Sequence, residues 1–141
     1  MRVPPVVWLA GAAWAQRRVG RPPTPVTLAA SAPFVAAAGW LGAGALREFA
    51  LARTTFHPEH PDRATTLVTT GPNALTRNPM YLGMASLLLG HAVARRSPVA
   101  LLPVAGFVAA IDRWQVPAEE RALAARFEGY ADYVARVPRW L

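Results

Sequence analysis

The segment Thr70 Gly71 Pro72 Asn73 Ala74 Leu75 Thr76 Arg77 Asn78 Pro79 packs hydroxyl, amide and guanidinium groups directly ahead of Met80 Tyr81 Leu82 Gly83 and a long apolar run. A polar knot set between membrane-like segments is where chemistry is expected. About one helical hairpin later, Glu119 and Glu120 open a charged, amphipathic tail. A polar loop and an acidic helix start would then meet on the same side of a bilayer, with the rest of the chain as their frame. Other candidates carry less. His57 and His60 are three apart beside prolines with no further clustered ligand, so they read as solvated loop residues and no metal site is expected. Asp112 and Arg113, near the end of an apolar run, read as an interfacial or intrabundle pair, and His91 as a hydrogen-bonded helix residue near Arg95 and Arg96. No residue is a compelling general base, and the catalytic residues stay unassigned. With no cysteine, disulfides, thiolate metal sites and cysteine nucleophiles are excluded.

The elements that must position these groups are apolar and long. The chain has 141 residues, 53% of them hydrophobic and 16% charged, and its apolar residues are clustered instead of spread at globular spacing. One domain over residues 1–141, all-α and embedded in a membrane with about four transmembrane helices, is the expectation. Val26 to Leu46 holds no charge over 21 positions, and at about 1.5 Å per residue it crosses a hydrocarbon core of roughly 30 Å. Val3 to Ala15 is a shorter run; Pro4, Pro5, Arg17 and Arg18 argue for a retained first helix over a signal peptide. Met80 to Ala94 and Ser97 to Ile111, separated by Arg95 Arg96, predict a tight helical hairpin. Arg21 Pro22 Pro23 Thr24 Pro25 is a stiff connector, and Thr54 to Thr76 a long polar loop. From Pro117 to Val137 the sequence predicts one amphipathic helix. Pro117 would sit in its first turn, Glu119 and Glu120 would favour its dipole, and Leu123, Phe127, Tyr130 and Val134 would share its apolar face.

The formal charge of +7 comes entirely from arginine. The arginines flank apolar segments instead of lining one face with interleaved aromatics, so membrane lipids with anionic headgroups are expected as partners, and nucleic acid is not. With four helices, the arginine distribution places both termini in the cytoplasm. Tyr81, Trp8, Trp14, Trp40 and Trp140 read as interfacial aromatic anchors.

Taken in order, Thr66 Leu67 Val68 Thr69 Thr70 Gly71 Pro72, then Arg77 Asn78 Pro79 Met80 Tyr81 Leu82 Gly83, then Glu119 Glu120, and finally Tyr133 Val134 Ala135 Arg136 Val137 Pro138 resemble the isoprenylcysteine carboxyl methyltransferase family, most closely its small prokaryotic members. The resemblance runs from about Thr54 to the C-terminus. It implies S-adenosylmethionine as cofactor, contacted by Thr65, Thr66, Leu67 and Val68, by Asn78, Pro79, Met80 and Tyr81, and by Glu120; Asn73, where an aromatic residue is usual, joins this set. Three departures stand out. Asn78 replaces a His common in eukaryotic members, Phe127 Glu128 Gly129 Tyr130 is one residue shorter than the pattern, and Val116 stands where an Arg contacts substrate. Arg113 is the nearby cation that would take that Arg's place.

The resemblance implies an integral membrane methyltransferase of the prokaryotic inner membrane, its cofactor site facing the cytoplasm. Its acceptor would be lipophilic or membrane-partitioned, presenting a carboxylate, thiol or amine, and no obligate protein partner is inferred. Two alternatives stand beside this reading: an NADPH-dependent membrane reductase related to sterol reductases, and a non-catalytic membrane scaffold.

Overall fold

The computed structural model describes residues 3–54 and 64–141. His57 and His60 lie outside the described residues. Among those described there are six α-helices and no strand: α1 (Pro5–Val19), α2 (Pro25–Leu51), α3 (Pro79–Ala94), α4 (Leu101–Ala110), α5 (Val116–Arg126) and α6 (Tyr130–Arg136). The chain is thus the all-helical fold that its composition predicts, and it ends in a short C-terminal helix. Two helical stretches are long and apolar enough to cross a membrane, Pro25–Leu51 and Pro98–Arg126, and α3 is a shorter apolar helix.

The bundle has two distinct ends. At one, Arg21 N–H donates to the Arg95 carbonyl at 2.7 Å, so the α1–α2 connector lies against the α3–α4 turn. Pro25 begins α2 in a position where its missing N–H costs nothing, and Thr24 and Thr27 cap that start reciprocally. At the other end Trp8 stacks on Trp114 with ring centroids 5.8 Å apart, and here the polar loop, the acidic pair and the C-terminus collect.

Close approach of α2 and α3 depends on small residues. A Cβ at Gly90 would stand 3.0 Å from Phe34 Cβ and 3.3 Å from the Ser31 carbonyl oxygen, so any side chain there would push α2 away by a few tenths of an ångström. In an apolar medium such backbone proximity supplies much of the packing attraction between helices. Across the bundle, Gln16 is fully buried. Its Nε2 donates to the carbonyls of Leu88 and Ala100, both at 2.9 Å, and its Oε1 lies 2.7 Å from His91 Nδ1. One amide side chain therefore pins α1 to α3 and to the turn before α4. His91 is hydrogen-bonded as its sequence setting predicts.

The tail departs from its sequence reading. α4 does not end near Ile111; a π-helical turn, Ile111–Gln115, joins it to α5 in one helical stretch from Pro98 to Arg126. Pro117 has no N–H to donate and its ring crowds the preceding turn, and a local π-turn accommodates such a proline without ending the helix. Glu119 and Glu120 consequently lie inside a continuous helix, and the dipole of a fresh helix start is not what favours them. The helix breaks instead at Phe127, which is extended, and restarts at Tyr130. That break shifts the register of the apolar face: Tyr130, Tyr133 and Val137 pack inward with Leu67, Leu123 and Phe127, while Val134 is 40% exposed.

Replacing Gly90 with Val should overpack the α2–α3 contact by about 1–3 kcal/mol and lower the thermal midpoint in detergent. Gly106→Ala, at a position where an added Cβ meets nothing within 4 Å, should be neutral or stabilising by up to about 1 kcal/mol.

Candidate functional site

The loop leading into α3 is held by α2 and α6. Gly71 has φ +59°, in the left-handed region, and a Cβ there would meet Glu48 Cγ at 2.7 Å. Thr70 Oγ1 donates to Glu48 Oε2 at 2.5 Å, which fixes the loop to the end of α2. Tyr133 Oη donates to the Asn73 carbonyl at 2.6 Å, so the buried Asn73 contributes its backbone to α6 while its side chain turns back to the Thr70 carbonyl. Upstream, the N–H groups of Thr65 and Thr66 donate to Thr54 Oγ1, Arg126 Nε donates to the Ala64 carbonyl, and Val68 is buried. Leu67 packs on the Tyr130–Tyr133 cluster. Thr65 and Thr66 are exposed.

Asn78 occupies the position before the first turn of α3 but does not cap that helix. Its amide donates instead to the Arg139 carbonyl at 2.9 Å, an acceptor shared with Thr76 Oγ1 at 2.9 Å. Arg77 N–H donates to the Pro138 carbonyl. Three consecutive residues thus bind the C-terminal segment after α6. Pro79 follows as the first helical residue and is buried, and Met80 is half-buried.

Charge is concentrated where this segment meets α5. Glu120 Oε1 accepts from Arg77 Nη1 at 2.8 Å and from Arg139 Nε at 3.1 Å, and its Oε2 accepts from Arg139 Nη2 at 2.6 Å. The Arg139 contact is bidentate, the strongest geometry a guanidinium and a carboxylate can adopt. Arg139 Nη1 reaches Asp112 Oδ1 at 3.2 Å, and Trp140 Nε1 donates to the same oxygen at 2.8 Å. Hydrogen bonding to Glu120 raises the Arg139 guanidinium above its ordinary value. Asp112 is therefore hydrogen-bonded to the C-terminal segment, while its neighbour Arg113 acts on it through charge alone. Trp140, instead of anchoring at the interface, packs against the core.

Beside this cluster, Tyr81 is only 6% exposed and donates through Oη to Glu119 Oε1 at 2.5 Å, an oxygen that also accepts from Gln115 Nε2 at 2.7 Å. Tyr81 is a core residue here and not an interfacial anchor. Arg77 Nε is buried without a hydrogen-bond partner. A buried donor left unpaired is costly unless something else completes it.

The polar loop, Tyr81 and the acidic pair thus meet, as their sequence order predicts. Arg113 is exposed on the π-turn and the cations that meet the acidic pair are Arg77 and Arg139. Arg139 escapes a sequence reading because it follows a proline outside any periodic segment; its only signal is its place just after Tyr133 to Pro138.

A family model for phospholipid methyltransferases matches residues 26–129, from the second residue of α2 to the turn before α6. The chain belongs to the phospholipid methyltransferase family. Isoprenylcysteine carboxyl methyltransferases belong to this same membrane methyltransferase family, so the resemblance drawn from the loop and the acidic pair stands. Neither the curated proteins nor the solved structures give a match to the chain. As a member of this family the chain is a membrane methyltransferase, and the matched region contains the central loop, Tyr81, Glu119 and Glu120, while Arg139 lies beyond it.

Burial pushes the Tyr133 phenol up to about 12. Its proton, donated to Asn73, is kept through the range where an unfolded tyrosine ionises near 10. The stability this hydroxyl supplies is therefore complete below about pH 10 and lost as pH rises towards about 12. In chemical denaturation, Tyr133→Phe should be less stable than the parent by roughly 1 kcal/mol at neutral pH, and that gap should close across the alkaline window.

Proposed function

We propose that the protein transfers the methyl group of S-adenosylmethionine to a lipophilic or small membrane-partitioned acceptor carrying a carboxylate, thiol or amine. The observation that carries this reading is the convergence of the loop before Tyr81, the Glu119–Glu120 pair and the C-terminal segment in a methyltransferase chain. The donor set fits the cofactor. A ligand with an ammonium, a carboxylate and ribose hydroxyls needs both signs of charge, and Glu119 and Glu120 stand beside Arg77, whose buried Nε lacks a partner. When bound, S-adenosylmethionine supplies a sulfonium-activated methyl, so that the acceptor's lone pair forms the new bond while the carbon–sulfur pair returns to sulfur.

The chain's own contribution is alignment and exclusion of water. In this reading Glu120 accepts from the cofactor, with Arg77 and Arg139 fixing its direction; Asn73, Asn78, Pro79, Met80 and Tyr81 form the wall behind it, and Thr65 to Val68 the outer edge. The exposed Arg113 is the proposed contact for an anionic acceptor. A carboxylate or thiolate acceptor needs no general base, which agrees with the lack of an assigned one.

The acceptor would approach laterally between helices and the cofactor from water, with the site end in the cytoplasm of a prokaryotic inner membrane. Among the described residues, five arginines, Arg17, Arg18, Arg21, Arg95 and Arg96, belong to the opposite end against eight at the site end. The methyltransferase family match favours this reading over the nicotinamide-dependent reductase and over a scaffold.

Titration calorimetry of detergent-purified protein with S-adenosylmethionine and with NADPH tests the proposal. Saturable binding of S-adenosylmethionine alone is expected, with Glu120→Ala and Tyr81→Phe each weakening it about tenfold or more while circular dichroism stays unchanged. NADPH binding alone would move the protein to the reductases, and binding of neither to folded protein would leave the scaffold.

A further inference from the structure

Along the side of the bundle, with its polar end remote from Glu120, an open groove of about 660 Å³ lies between α1, α2 and α3. Its wall is almost wholly apolar, with Val6 and Trp14 from α1, Val35 from α2 and Leu87 from α3, and its polar side chains include Arg17 and His91. From Val6 to Arg17 the groove follows α1 for about 16 Å, roughly half the thickness of a ~30 Å hydrocarbon core. That is the reach of one leaflet.

The polar end has a defined character. The five arginines of this end have no acidic counterpart, because the sequence contains no Asp or Glu before Glu48 or between Arg63 and Asp112. Most of their neighbours are engaged. Arg95 donates to the carbonyls of Arg17 and Gly20, Arg96 to the carbonyl of Pro22, and the Arg18 guanidinium lies 4.9 Å from the centre of the Trp14 ring. The Arg17 guanidinium, in the last turn of α1, makes no hydrogen bond among the described residues and stands at the groove. His91 is oriented by Gln16: the amide nitrogen of Gln16 is used by two carbonyls, so its oxygen must accept from His91 Nδ1–H, which leaves Nε2 as an acceptor. A cation and a ring acceptor at the head of a one-leaflet apolar groove match a phosphodiester and a headgroup hydroxyl on one molecule.

We propose that this groove binds an anionic phospholipid with a hydroxylated headgroup, one acyl chain along α1, the phosphate on Arg17 and a headgroup hydroxyl on His91. This lipid is not the methyl acceptor. His91 is ten residues along α3 from Tyr81, about 15 Å of helix rise, so the bound headgroup sits in the opposite leaflet from the acidic pair. It is a resident lipid that completes the packing of the short helix α1 against α2 and α3.

Trp14 reports the site directly. The full chain would be placed in phosphatidylcholine bilayers containing a minor fraction of either dibrominated phosphatidylglycerol or dibrominated phosphatidylcholine. Trp14 quenching is then taken as the difference between the parent and Trp14→Phe. An apparent affinity about fivefold higher for the phosphatidylglycerol is expected, lost in Arg17→Gln and kept in Arg18→Gln. Ala10→Phe, which fills the groove from an exposed position, should weaken quenching by both lipids. Equal quenching by the two lipids, a preference that survives Arg17→Gln, or one lost equally in Arg18→Gln would overturn the proposal; the last would indicate a diffuse basic surface.

Discussion

Glu120 is the residue on which the site end of this protein is built. A carboxylate on a helix that runs out of an apolar stretch loses hydration, and it is retained there only if cations and hydrogen bonds replace the lost water. Two guanidinium groups do so, one from the loop before α3 and one from the C-terminal segment. The first of these, Arg77, is only 12% exposed, so its charge depends on Glu120 as much as the reverse holds. Arg139 extends the pairing to Asp112, giving two cations and two anions in one connected group. Three segments far apart in the chain are thereby placed within hydrogen-bond distance of one another.

The backbone geometry around that cluster follows from what it requires. Asn78 gives up the usual capping role at the start of α3 so that its amide can hold the Arg139 carbonyl, and Thr76 holds the same oxygen. The π-turn at Ile111–Gln115 carries the helix past Pro117, with Asp112 inside the turn and both glutamates on the helix beyond it. Tyr81 and Gln115 then hold Glu119 as Arg77 and Arg139 hold Glu120. The two carboxylates are adjacent in sequence yet held by different groups, Glu119 by Tyr81 and Gln115 and Glu120 by two guanidinium groups.

The two ends of the bundle differ in charge as sharply as in shape. Among the described residues, acidic side chains occur only with the site end, while the charged side chains of the other end are arginines, two of them spent on backbone carbonyls of α1 and the connector. Between the ends, close α2–α3 packing and the Gln16 amide hold the helices together without reliance on a strong hydrophobic drive, which an apolar phase does not supply.

The sequence by itself determined the helical class, the hairpin turning at Arg95 and Arg96, the membrane-length helix α2 and the meeting of the loop with Glu119 and Glu120. Each of these is written in local hydrophobicity, in proline and glycine placement, or in the order of a few polar residues. Tertiary structure alone decided that the tail is not one helix, that Val134 faces outward while Tyr133 faces inward, and that the fourth apolar run continues through Pro117. Periodicity is read over neighbouring residues, and a single break at Phe127 or a single π-turn resets it without altering composition. Arg139 shows the same limit: its importance comes from an acceptor nineteen residues earlier on another element, and no local pattern encodes a partner that only folding brings near.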